Sequence, residues 1–128
     1  MNSELRRSPR YTDFLPISLT VNRGRQKVSG PYSARIVDIS HHGARLIMTQ
    51  VMKDSFHVFH TTREDDFLAL RLLISVPKDI EDITVDAHPI WLDSTQMDDI
   101  KVFKMGVDFT HKLDEYQLKV INKLIKEL

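Results

Sequence analysis

The chain has no cysteine. That excludes disulfides, thiolate metal sites and cysteine nucleophiles. Glycine is scarce, with four residues, and none stands in a Gly-x-Ser-x-Gly elbow or a Gly-x-x-x-x-Gly-Lys loop. The usual sequence marks of a serine hydrolase and of a phosphate-cradling nucleotidase are therefore missing. No apolar run approaches the roughly 18 residues that span a bilayer. The start, Met1-Asn2-Ser3-Glu4-Leu5-Arg6-Arg7, carries charge with no hydrophobic stretch behind it, unlike a secretory leader. The expectation is a cytoplasmic protein with no membrane partner. Net charge is also lacking: 18 Lys and Arg balance 18 Asp and Glu. A duplex-DNA binder would need several phosphate contacts and a basic domain overall, so DNA is not the expected partner.

What is present is one domain's worth of chain, 128 residues with 41% apolar side chains, enough for one real core. Much of it alternates apolar and polar, the pattern of half-buried strands. Leu15, Ile17, Leu19 and Val21 share one face. Asn22–Pro31 holds Gly24, Gly30 and Pro31 and is expected to be a turn or long hairpin loop. Ala34 and Ile36 lead to Asp38; Ala44, Leu46 and Met48 alternate after Gly43. Residues 49–66 are expected to form a short helix or loop anchored by Phe56 and Phe59, with the polar run Thr61–Asp66 exposed. Phe67–Val76 is a strongly apolar run, long for a strand. Ile83, Val85 and Ala87 alternate until Pro89, which suggests an edge or a bulge. Phe103, Met105, Val107 and Phe109 form the last set. Leu118, Ile121, Ile125 and Leu128 follow the helical period instead, with Asp114 as N-cap and Lys119, Lys123 and Lys126 toward the negative end. The implied fold is all-β with a C-terminal helix: five or six antiparallel strands in a small closed barrel, the helix covering an opening or a face. The expected division is an N-terminal arm over 1–12, a barrel over 13–112 and the helix over 113–128.

Charge is unevenly spread. Residues 1–35 carry seven Lys and Arg against two acidic residues, and the remainder carries eleven against sixteen. A basic front end on a neutral chain suits a small anion, although a solvated tail would look the same. Arg6-Arg7-Ser8-Pro9-Arg10 precedes the first strand, and Pro9 disfavours helix before it. Arginine presents a planar array of donors that matches phosphate or the O6/N7 edge of guanine, and its flat face stacks on bases. Asp38-Ile39-Ser40-His41-His42-Gly43 lies between two strands. Asp and Ser there could simply cap backbone groups, with Gly supplying a turn conformation. Alternatively, the carboxylate accepts from a base's amino and imino groups, the hydroxyl donates to phosphate, and Gly43 admits close approach.

Arg6-x-x-x-Arg10 followed by Asp38-x-Ser40-x-x-Gly43 resembles the paired RxxxR and (D/N)xSxxG signature of PilZ domains. Ile90-Trp91 resembles the family's apolar-Trp step. Gly106-Val107-Asp108-Phe109 followed by a Leu/Ile-rich helix is similar to its usual ending. The resemblance runs from about Leu5 to Leu128. It implies a six-stranded antiparallel barrel that binds cyclic di-GMP as a receptor, needs no cofactor or metal, and does no chemistry of its own. It further implies that Arg6, Arg10, Asp38, Ser40 and Gly43 are the binding residues, with Arg7, His41, His42 and Trp91 as secondary contacts. An unidentified protein partner would relay the signal to motility, exopolysaccharide or biofilm-type outputs. Leu5 stands where family members often carry a further Arg that helps hold a second, stacked ligand, so one ligand per chain is expected.

Three rivals remain. A PilZ-like module that binds a protein instead of the nucleotide would have lost the arginines or the Asp/Ser motif, and both are intact. A metal enzyme could draw on His41, His42, His57 and His60, but no HExxH pattern supplies ligands and a general base on one helix. A single-strand nucleic-acid barrel would need exposed aromatic platforms, whereas most aromatics fall on expected inward faces. Trp91 is the exception, placed by the pattern at a strand end, where packing beneath the helix is the favoured role.

Overall fold

In the computed structural model, which describes residues 9–77 and 81–128, the alternating segments become β1 (Leu15–Arg23), β2 (Gln26–Ile39), β3 (Gly43–Met48), β6 (Leu68–Ile74), β7 (Ile83–Met97) and β8 (Ile100–Phe109). These six close into one antiparallel barrel in the order β1-β2-β3-β8-β7-β6, with β1 pairing both β2 and β6. Closure leaves no unpaired edge in the main sheet. The inward residues are those the alternation singles out. Leu19, Val21, Ile36, Leu46, Met48, Leu70, Leu72 and Met105 are fully buried and form one cluster.

Of the turn or long hairpin loop expected over Asn22–Pro31, the structure has the turn, confined to Gly24 and Arg25. β1 and β2 run almost to the tip, and Gly24 with φ 59° allows a two-residue turn. Register shifts near Val21 absorb the irregularity that Gly30 and Pro31 announce. Residues 49–66 form two two-residue strands, β4 (Met52–Lys53) and β5 (Phe56–His57), and one turn of helix, α1 (His60–Arg63). Phe59 is buried and Phe56 packs against the core. Within the polar run Thr62 is buried rather than exposed.

The chain ends in α2 (Glu115–Lys126). Asp114 caps it, accepting from the Gln117 N–H at 2.7 Å, while the Gln117 side chain accepts from the Asp114 N–H at 3.2 Å. Ile121 inserts into the barrel core, and Leu118, Val120, Leu124 and Ile125 lie half-buried around it. No helix among the described residues is long and apolar enough to cross a membrane.

Candidate ligand-binding site

β2 and β3 are joined by Ser40-His41-His42, and this bend is tightly tied. The Ser40 N–H donates to the Gly43 carbonyl at 2.9 Å, and the His42 N–H donates to the Ser40 hydroxyl at 3.3 Å. The bend is also tied to the C-terminal end of the chain. Phe109 N–H donates to the His42 carbonyl at 2.7 Å and Leu113 N–H to the His41 carbonyl at 2.8 Å. The His41 ring bonds Glu115, in the first turn of α2, at 2.9 Å. His41 thus faces the helix, whereas His42 lines the cleft described next.

Strand register creates that cleft. Asp38 pairs with Arg45, Arg45 with Gly106, and Gly106 with Trp91. One row of residues therefore crosses β2, β3, β8 and β7. Their neighbours Ile36, Leu46 and Met105 point into the core, so by the alternation of a pleated strand this row faces outward. Bulges at Val37 and Ile90 keep Asp38 and Trp91 on that face. Together with Ser40, His42, Gly43 and Asp108 the row lines a cleft of about 530 Å³, inside the roughly 300–1,000 Å³ range of small-molecule sites.

Two glycines shape the cleft. A Cβ on Gly106 would lie 2.1 Å from the Trp91 Nε1. Only a bare backbone lets the indole lie across β8. A Cβ on Gly43 would lie 2.3 Å from the Val107 carbonyl oxygen. Gly43 is therefore required by the approach of its own neighbouring strand, not by a positive φ. Trp91 is 39% exposed and sits within β7, not at its end. The expectation that it packs beneath the helix is replaced by a place on the cleft wall. The Pro89 irregularity is the cause: the bulge turns residue 91 outward. Arg63 of α1 holds that bulge, donating from Nη1 to the carbonyls of Pro89 at 3.1 Å and Ile90 at 2.7 Å.

The Asp38 carboxylate receives Arg45 side-on. Nε donates at 3.0 and 2.9 Å to the two oxygens, and Nη2 donates to Oδ2. These hydrogen bonds hold the Asp38 carboxyl below its ordinary range and push the Arg45 guanidinium further up. The Arg45 and Asp38 side chains are 58% and 52% exposed, respectively, so solvent limits the pair to at most about 1 kcal/mol of stability.

Arg10 is not in the cleft. Tyr11–Asp13 form one turn of 3-10 helix, closed by Asp13 N–H to the Arg10 carbonyl at 3.0 Å and Arg10 N–H to the Asp13 carboxylate at 2.8 Å. Tyr11 lies under the Arg35 guanidinium, 5.0 Å from its ring centroid. The Arg10 side chain reaches Asp98, at the β7–β8 turn, at 3.7 Å with both groups solvated. Asp98 is seven residues along β7 from Trp91, roughly 20 Å at strand rise. The arm and the cleft nonetheless share the outer face of the same sheet, since Arg35 pairs with Ile47 and Ile47 with Lys104, two residues down from Arg45 and Gly106. Arg6, Arg7 and Leu5 lie outside the described residues. Among the described residues no group of three or more His, Asp and Glu is placed to hold a metal; the rings of His57 and His60 pack with centroids 4.4 Å apart and planes tilted by 43°.

The sequence profile of the PilZ domain matches residues 4–127. The chain belongs to the PilZ domain family. Among solved structures, this PilZ domain is similar to the PlzA protein of Borreliella burgdorferi in complex with c-di-GMP, with a TM-score of 0.53 and 12% identity. That match covers 98% of the present chain and 48% of PlzA, so the chain spans about half of that protein's length. At this identity the likeness is one of fold. None of the curated proteins matches the chain.

Proposed function

We propose that this PilZ domain is a cyclic di-GMP receptor. The ligand would bridge the N-terminal Arg6–Arg10 arm and the Asp38–Gly43 bend, with one ligand per chain and no chemistry performed on it. The observation that carries the reading is the outward row Asp38–Arg45–Gly106–Trp91, beside a bend whose Ser40 hydroxyl is exposed. It offers an acceptor for a guanine edge, a donor for phosphate and an aromatic face within one cleft. The similarity to PlzA, a protein seen with c-di-GMP, supports the same class of ligand.

The arm has to move. Leu15 pairs with Ile36, two residues before Asp38. The five residues from Arg10 to Leu15 span up to about 17 Å when extended, enough to bring Arg10 over the cleft once the 3-10 turn opens. It is held back by Asp98 and one exposed turn, which are solvated and cheap to release, and by Arg35, which lies over Tyr11 and donates to the Phe14 carbonyl at 2.9 Å. Ligand binding is then an ordering switch. Its readout would be the C-terminal helix, which the bend contacts through the His41–Glu115 bond, while the His41 and His42 carbonyls hold Leu113, just before the helix, and Phe109, at the end of β8. A protein partner would sense that helix or the relocated arm, with motility, exopolysaccharide or biofilm outputs as the family-type consequences.

Trp91 is the sole tryptophan, so its emission reports on the cleft directly. Cyclic di-GMP is expected to change it saturably. Arg10→Ala should shift the curve to weaker binding by about 2–5 kcal/mol if the contact is desolvated in the complex, and Ser40→Ala by less. Equal binding by Arg10→Ala and wild type would remove the arm from the site. No binding by wild type would favour the module that recognises a protein in place of the nucleotide.

A further inference from the structure

Neither motif of the family signature contains Arg45, yet this residue occupies the middle of the cleft floor. It pairs with Asp38 on one side and sits opposite Gly106, under the Trp91 row, on the other. Among the described residues, the formal charges that line the cleft are Asp38, Asp108 and Arg45. Without Arg45 the described lining carries two carboxylates and no fixed cation, a poor receptor for a dianion. The guanidinium is also only partly used. Its Nε and one Nη2 hydrogen engage Asp38, and Nη1 makes no hydrogen bond among the described residues. A guanidinium carries five N–H donors in one plane. Three of them are thus left for a second anion while the pairing with Asp38 fixes the orientation of the group.

We infer that Arg45 is a ligand-binding residue, which stays paired to Asp38 through Nε and Nη2 and donates from Nη1 to a phosphodiester oxygen of the cyclic dinucleotide. This rests on the reading of the cleft as the cyclic di-GMP site. Asp38 and Arg45 then act as one unit: the carboxylate keeps free lone pairs for the base, and the cation it anchors carries the phosphate charge inside the cleft. The arm's arginines close over the ligand from outside, whereas Arg45 meets it from the floor. The rival reading is a solvated cross-strand ion pair that either ignores the ligand or blocks Asp38.

The test is calorimetric titration of wild type, Arg45→Gln and Arg45→Lys with cyclic di-GMP at low and high salt. Arg45→Gln should bind roughly ten- to a hundredfold more weakly, the equivalent of one charge-assisted hydrogen bond. Its affinity should fall less steeply with salt than that of wild type, because one screened charge contact is gone. Arg45→Lys should recover part of the loss and the wild-type salt slope. Unchanged or tighter binding by Arg45→Gln, with wild type binding well, overturns the role of Arg45 and leaves the receptor reading intact. A weaker variant with an unchanged salt slope also overturns it, since Arg45 would then act only by holding Asp38. Failure of wild type to bind sinks both. The exposed pair contributes little to the fold, so all three proteins should melt within a few degrees of one another.

Discussion

Replacing Gly43 with alanine would set a Cβ 2.3 Å from the carbonyl oxygen of Val107 and 3.3 Å from the Asp108 carboxylate. Replacing Gly106 would set one 2.1 Å from the Trp91 Nε1. The distances are alike, but the obstacles are not. A carbon needs about 3.2–3.5 Å from either neighbour, so each must yield by about 1 Å. At Gly43 the neighbour is backbone in β8, which is hydrogen-bonded on both sides, to β3 and to β7. Relief requires the β3–β8 ladder to open at its end. Overpacking at about 1–3 kcal/mol plus a weakened ladder bond at about 1 kcal/mol gives a loss near 3 kcal/mol. At Gly106 the neighbour is a half-exposed indole that can swing outward, so about 1 kcal/mol is expected. For a domain of 128 residues these correspond to melting shifts of roughly 10 °C and roughly 4 °C. Thermal unfolding, followed by circular dichroism and by Trp91 emission, separates them. Gly43→Ala should melt much lower with a nearly native emission spectrum. Gly106→Ala should melt slightly lower with emission shifted toward that of solvated indole. If Gly106→Ala is the more damaging of the two, or leaves the emission unchanged, the geometry argued for the cleft is wrong.

Asp114→Ala removes the N-cap of α2 and should cost about 1 kcal/mol in urea unfolding; a loss below a few tenths would mean the cap contributes nothing. The His57 Nδ1 accepts from the N–H groups of Phe59 and His60, both at 3.1 Å, and desolvation followed by the nearby His60 lowers its pKa below 6.5. A lowered histidine pKa means the unfolded chain binds the proton more readily. This contribution to stability is therefore complete above about pH 6.5 and is lost as pH falls through the folded value. Melting curves between about pH 7.5 and 5 should show a steeper acid loss for wild type than for His57→Asn, whose side-chain oxygen accepts without titrating; parallel curves would refute this.

Much of the barrel was legible because period-two alternation reports directly on which face is buried. Leu15 to Val21 and Phe103 to Phe109 behave accordingly, and Leu118, Ile121 and Ile125 do the same for α2, whereas Leu128, beyond the helix, is exposed. The bend at Asp38–Gly43 was legible as a place, but the reason for its glycine was not. Gly43 yields to the Val107 carbonyl some sixty residues away in sequence, a contact that no local pattern encodes. Arg45 was missed because it sits in a regular strand as an ordinary outward residue, and only the register places it between Asp38 and Gly106. The outward place of Trp91 follows from the bulge after Pro89, since a bulge reverses the face of the residues that follow. At Asn22–Pro31 the turn was legible from Gly24, but its length was not: Gly30 and Pro31 lie within β2, where cross-strand pairing absorbs them as irregular register.

The central claim is that an arginine arm and the Asp38–Gly43 bend close around one cyclic di-GMP. Calorimetric titration of the full chain with that nucleotide tests it most directly. Saturable heat with one ligand per chain is expected, lost or sharply weakened in Arg10→Ala. Two ligands per chain, or no heat with folded protein, would contradict it.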